Sequence, residues 1–184
     1  MSNQRKIFVG LSLDQKARQF IAKKIAGLNI AKNENIHFID PENYHVTLMF
    51  LGYVKDENIP EICSELKEAF QGVEYFDLNF GVIKKAPSEE NAKMIWLVGE
   101  NSPALTEVKN RVEKKLSHHK GDSKKFIPHV TLARIKNPKK TLVNEEVNSE
   151  VSLMVPVYSV ELIESATENG RRVYHTLDSI DLEG

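Results

Sequence analysis

The sequence predicts an α+β fold built as two closely packed lobes. Strand-like and helix-like periodicities alternate along the chain. The tetrapeptide His-Val-Thr-Leu occurs at 45–48 and again at 129–132. No low-complexity linker separates the two copies, so the lobes should pack closely rather than swing. At 184 residues the chain fits one domain, 1–184, with the first motif in one lobe and the second in the other, and can bury a proper core.

The elements follow in order. Residues 5–12 alternate as a strand. From Asp14, the positions Ala17, Phe20, Ile21, Ile25 and Leu28 keep helical spacing, which predicts an amphipathic helix over 14–28. Residues 36–39 and 44–51 read as strands around an Asp40–Pro41 turn. Ile59, Ile62, Cys63, Leu66 and Phe70 mark a second helix. Cys63 thus falls on its apolar side, a core residue with no activating base near it in sequence. Strands near 75–85 and 93–99 flank a polar turn at Pro87–Asn91. A third helix opens on Ser102–Pro103, a cap and a first-turn proline, and runs through Leu105, Val108, Val112 and Leu116. It closes on His118, His119, Lys120 and Gly121, where cationic side chains followed by glycine suit a helix C-terminus and leave the tandem histidines structural or solvated. A strand over 126–135, a poorly patterned polar stretch at 137–150 and two long strands over 152–166 and 171–181 complete the chain. Glu168-Asn169-Gly170 signals a hairpin between the last two.

Composition excludes several classes. Hydrophobic residues make up 41% and charged residues 28%, ordinary values for a globular protein. No apolar run is long enough to cross a bilayer, and the opening MSNQRKIFVGLSL reads as a strand rather than a signal peptide. The single cysteine fits a reducing compartment, so a cytoplasmic location is expected. A net charge of −1 argues against a protein that tracks along duplexes, but leaves room for recognition of a strand terminus. Local basic clusters at Lys124–Lys125, at Lys136 with Lys139–Lys140, and at Arg171–Arg172 read first as solvated faces.

The repeated motif carries the chemistry. Side chains two apart on a strand share a face. His45 and Thr47 therefore point one way while Val46 and Leu48 anchor the core; His129 and Thr131 stand likewise over Val130 and Leu132. If the lobes face each other about a pseudo-twofold axis, two imidazoles and two hydroxyls converge on one cleft. One imidazole can take a proton from water while the other gives one to a departing oxygen. The threonine hydroxyls can donate to non-bridging phosphate oxygens. Two histidines are too few to make a zinc site there, and no nearby ligand spacing completes one. A serine-type triad lacks a glycine-flanked nucleophile.

These residues resemble the two-histidine phosphoesterase superfamily, in particular the RNA 2′,3′-cyclic phosphodiesterases also called 2′-5′ RNA ligases (LigT-like). The resemblance rests on the strand Arg5–Val9, the motif HVTLMFLG, Phe126-Ile127-Pro128 before the second motif, and the closing strand with Gly170, Tyr174 and Leu177. It implies a bilobal α+β fold, each lobe an antiparallel sheet with helices outside and the active cleft between. It also implies hydrolysis of RNA 2′,3′-cyclic phosphate ends to 2′-phosphate without metal or cofactor, with His45 as proton donor and His129 as proton acceptor. Patterning alone does not assign those two roles.

In similar proteins an arginine five positions after the second histidine contacts phosphate, and Arg134 stands there. Simple alternation puts it on the opposite face, so it needs a strand end, twist or bulge to reach the cleft. Its counterpart in the first copy is Phe50. Tyr44 or Phe8 can stack on a terminal base, but core packing is the first reading for each. The expected partner is an RNA end or nucleotide with a cyclic phosphate, acted on by a monomer with no obligate protein partner. Two alternatives stand beside hydrolysis: joining the cyclic end to a 5′-hydroxyl, and a binding module that keeps the cleft without turnover.

Overall fold

The structure, a computed structural model, describes residues 3–28, 30, 34–119, 126–136 and 147–184. Lys124–Lys125, Lys139–Lys140, Lys120, Gly121 and most of the polar 137–150 stretch lie outside the described residues.

The elements are β1 (Gln4–Ser12), α1 (Gln15–Ala26), β2 (Ile36–Phe38), β3 (His45–Lys55), α2 (Ile59–Ala69), β4 (Phe76–Ala86), β5 (Met94–Gly99), α3 (Pro103–Lys115), β6 (His129–Ile135), β7 (Ser149–Val157), β8 (Ser159–Glu168) and β9 (Arg171–Asp181). The cap expected at Ser102 forms, and Asp14 caps α1 in the same way. Asp14 accepts from the Ala17 N–H at 2.7 Å, and Ser102 accepts from the Leu105 N–H at 3.1 Å with Pro103 in the first turn. The β8–β9 hairpin turns through Asn169 at φ 49° and Gly170 at φ 76°, the left-handed pair that such a turn requires.

The nine strands form one sheet in the order β7-β4-β5-β6-β3-β1-β8-β9, with β2 on β6, and the named pairings are antiparallel. The sheet has a narrow waist. β3 and β6, the motif strands, pair only through Val46 and Val130. On one side of that waist lie β3, β1, β8 and β9; on the other lie β6, β5, β4 and β7. The half-sheets are therefore interleaved in sequence, because β8 and β9 return to pair with the N-terminal strands while β4 and β5 cross to the other side.

One expected element is corrected by this topology. Residues 152–166 are not one strand. β7 ends at Val157 on β4, and β8 begins at Ser159 on β1, in the opposite half-sheet. The break at exposed Tyr158 carries no glycine, asparagine or aspartate and falls two residues after Pro156; the strand partners decide it.

One core holds the two halves together. Ile21 and Ile25 of α1, Ile62 and Leu66 of α2, and Leu105, Val108 and Val112 of α3 join Val46, Leu48, Val130 and Leu132 in a single buried cluster. Each fully buried Val or Leu contributes roughly 1.5–3 kcal/mol, so the four apolar motif residues pin both strands and leave the other face of the waist to the histidines and threonines. Among the described residues, no helix is long and apolar enough to cross a membrane.

Candidate active site

His45, Thr47, His129 and Thr131 are all half-buried, while the intervening Val46, Leu48, Val130 and Leu132 are at most 3% exposed. The Val46–Val130 pair lies between the two motifs. Antiparallel register one residue either side of it sets His45 toward Thr131 and Thr47 toward His129. Two imidazoles and two hydroxyls thus share one face at the waist of the sheet, about a local pseudo-twofold axis through the valine pair.

Each ring is fixed by the same device. His45 Nδ1 lies 2.7 Å from the Asn43 carbonyl oxygen, and His129 Nδ1 lies 2.7 Å from that of Ile127. A carbonyl only accepts, so Nδ1–H donates in both rings and Nε2 is the nitrogen left for chemistry. The carbonyl comes from two residues upstream in both copies, where the chain enters the motif strand.

Both strands also bulge at the same motif position. Opposite β1, Val9 pairs with Met49 and Gly10 with Thr47, which leaves Leu48 extra; opposite β5, Ile95 pairs with Ala133 and Trp96 with Thr131, which leaves Leu132 extra. A bulge shifts the side-chain alternation by one. Met49 and Ala133 are consequently buried, and Phe50 and Arg134 turn out to the exposed side. This is the bulge that Arg134 needed to share the face of His129. The exposed Arg134 side chain makes no hydrogen bond to the side chain of another described residue.

The walls differ between the two copies. His45 packs on Phe8 (ring centroids 4.7 Å apart) and meets the edge of Tyr174 at 4.8 Å. Gly10, beside Thr47 in register, makes that possible: a Cβ there would sit 3.0 Å from the Val46 carbonyl and 3.1 Å from the Phe8 ring. His129 instead stacks face to face on Trp96, with centroids 3.7 Å apart. A polar hollow of about 150 Å³ opens beside His45, lined in part by Ser12, Asn43, Glu161, Tyr174 and Thr176. Ser12 donates to Glu161 at 2.5 Å in its wall. A larger open depression of about 600 Å³ along α3, lined by Pro103, Glu107 and Arg111 among others, shares no residue with the motifs.

Of the two roles open to Phe8 and Tyr44, packing is the one their burial fits. Phe8 is 1% exposed and Tyr44 3% exposed, so neither offers a free ring face. Phe8 is covered by His45, Phe50 and Tyr174 and serves as a backing for the histidine. Tyr44 belongs to the core; burial, with Asp40 adding to it, pushes its phenol up to about 12. Cys63 packs against the core as expected, and burial together with Asp178 raises its thiol. Trp96, Tyr174 and Glu161 emerge only here as site residues. Trp96 is the sole tryptophan, yet a lone aromatic in a strand carries no local sign of a ring stacked on it.

Burial lowers both imidazoles below their ordinary value, and the charge of His129 adds to the effect on His45. Exposed imidazole titrates near about 6.5. The stability these depressed groups contribute is therefore complete above that pH and is lost as pH falls through the lower folded values. Trp96 gives a direct readout. Its fluorescence is expected to drop on acidification with a midpoint below that of exposed histidine, as the stacked ring becomes an imidazolium. A His129→Gln variant that keeps the same transition would show that another group causes it.

Comparison with known proteins places this geometry. Residues 33–169 match the model of the 2′-5′ RNA ligase superfamily. An RNA 2′,3′-cyclic phosphodiesterase of Thermotoga maritima is 30% identical over 134 residues, spanning 70% of this chain and 69% of that protein. One from Archaeoglobus fulgidus is 29% identical over 162 residues, spanning 85% and 82%. Escherichia coli LigT in its apo form shares the fold with a TM-score of 0.78 at 23% identity over 100% of both chains. A Thermus thermophilus protein does so with a TM-score of 0.82 at 22% identity over 97% and 98%. With the family pattern matched across both histidine motifs, the chain belongs to the 2′-5′ RNA ligase superfamily of two-histidine phosphoesterases.

Proposed function

We propose that this protein hydrolyses 2′,3′-cyclic phosphates at RNA ends to 2′-phosphates, in a cleft formed where its two half-sheets, acting as lobes, meet at the Val46–Val130 waist. The observation that carries the reading is the matched pair of imidazoles, each with Nδ1–H held by a carbonyl and Nε2 free, set among two threonines. The curated relatives that bear the name RNA 2′,3′-cyclic phosphodiesterase support the substrate.

His129 Nε2 takes a proton from a water that attacks phosphorus in line with the P–O3′ bond. His45, protonated at both nitrogens, gives its Nε2 proton to O3′ as that bond breaks. The products are a 2′-phosphate and a 3′-hydroxyl. Donor and acceptor follow the motif resemblance; the site's pseudo-symmetry permits either assignment. Burial disfavours the imidazolium in the free protein, and the anionic phosphate offsets this by favouring a charged ring beside it. Thr47 and Thr131 donate to the non-bridging oxygens as charge builds there. Arg134 reaches the same anion from the bulged strand.

Both proton transfers are supplied by imidazoles, so no metal-bound water enters the scheme. The four motif side chains come from one chain, which suits a monomer, and the thiol of Cys63 suits the cytoplasm. The deciding experiment is product analysis with a defined oligonucleotide ending in a 2′,3′-cyclic phosphate, in EDTA. A 2′-phosphate end is expected; binding without product, or turnover abolished by chelator, would overturn the mechanism.

Arg134→Ala is expected to raise KM and lower kcat/KM by about 10–100-fold, the loss of roughly 1.5–3 kcal/mol for a hydrogen bond to a charged group. Arg134→Lys should restore only part, because a point charge replaces a planar fork. Unchanged kinetics in Arg134→Ala would place the guanidinium outside the substrate's reach.

A further inference from the structure

The tandem histidines after α3, His118 exposed and His119 half-buried, lie against α2. α2 and α3 run antiparallel, tied by Arg111 to the Ala69 carbonyl at 2.9 Å and by Lys115 to Glu68 at 2.6 Å. Continuing along that seam, His118 Nε2 lies 3.6 Å from Glu65 Oε2. His119 joins them: its ring centroid is 4.3 Å from that of His118, and its backbone N–H bonds to the Leu116 carbonyl at 2.9 Å. One ligand atom from each of Glu65, His118 and His119 falls within 4.8 Å of the others.

The carboxylate needs explaining. Glu65 Oε2 is out of contact with water and has no hydrogen-bond partner. A buried acceptor left unpaired is destabilising, and more so when it is charged. A metal ion in the gap would satisfy it and use the lone pairs of two neutral imidazoles. At zinc–ligand distances of about 2.0–2.1 Å, tetrahedral geometry sets ligand atoms roughly 3.3 Å apart. Small rotations of three side chains, one pair of whose ligand atoms is already 3.6 Å apart, close that gap. Two imidazoles and one carboxylate favour a borderline transition ion over magnesium or calcium, which take oxygen ligands.

We propose that Glu65, His118 and His119 form a metal site for a divalent transition ion such as Zn²⁺, separate from the catalytic pair, which clamps the end of α3 to α2. The fourth position is left to water. The site lies on the helix side of the core, whereas His45 and His129 project from the other face of the sheet. It serves structure, and hydrolysis does not pass through it.

The test is calorimetric titration of the metal-free full-length protein with Zn²⁺ at about pH 7.5, where neutral imidazoles are free to ligate, alongside thermal melts with and without the ion. The expected result is one equivalent bound and a raised Tm. Glu65→Gln should weaken binding by at least the roughly tenfold that loss of even an outer-shell partner costs. His118→Gln/His119→Gln should abolish this binding and the rise in Tm while leaving turnover of a cyclic-phosphate oligonucleotide unchanged. Absence of saturable binding would reduce Glu65 and His118 to an ion pair and overturn the proposal. Equal affinity in the double variant would place the ion elsewhere and overturn it too.

Discussion

His45→Ala and His129→Ala are each expected to lower kcat for a cyclic-phosphate oligonucleotide by about 10²–10⁴-fold, the usual share of a positioned proton donor or acceptor. The double variant should be little worse than either single one, because the two rings act as a unit on one phosphate and their effects do not add. His45 also packs against Phe8 and Tyr174, so its loss opens a small cavity as well. His45→Gln fills more of that space and should be equally inactive with a Tm closer to the parent. Steady-state turnover in EDTA, read beside thermal melts, separates the two effects. Full activity in either alanine variant would remove the two-histidine mechanism.

Thr47→Val and Thr131→Val are nearly isosteric and delete only a hydroxyl each. Each is expected to cost about 10²–10³ in kcat, the scale seen when one donor to a developing anion is removed. The loss should fall on kcat more than on KM, because the hydroxyls strengthen their bonds as charge builds on the phosphate. The register across Val46–Val130 sets Thr47 toward His129 and Thr131 toward His45, so each threonine works beside the histidine of the opposite motif. A loss confined to KM would show that the hydroxyls serve binding alone.

Local pattern made much of this protein legible. The period of two in His-Val-Thr-Leu is enough to place His45 with Thr47 and His129 with Thr131, because a strand has no other way to arrange them. Helical spacing from Asp14, from Ile59 and from Ser102 marks the three helices, and the caps at Asp14 and Ser102 follow from side chains that compete for free N–H groups. What local pattern misread was long-range. The run through 152–166 reads as one long strand, yet its halves belong to opposite sides of the sheet.

The sequence by itself determined the four motif side chains, the faces they take and the helices that bury the residues between them, since these depend on neighbours within a few positions. Only the tertiary structure decided the rest. The bulge at Leu132 brings Arg134 round to the histidine face, as the matching bulge at Leu48 does Phe50. Backbone carbonyls two residues upstream choose the imidazole tautomers, and Trp96 and Phe8 back the two rings. A bulge is a mismatch between two strands, and a stacking partner comes from a neighbouring strand far away in the chain. Neither leaves a mark in a stretch of residues read alone.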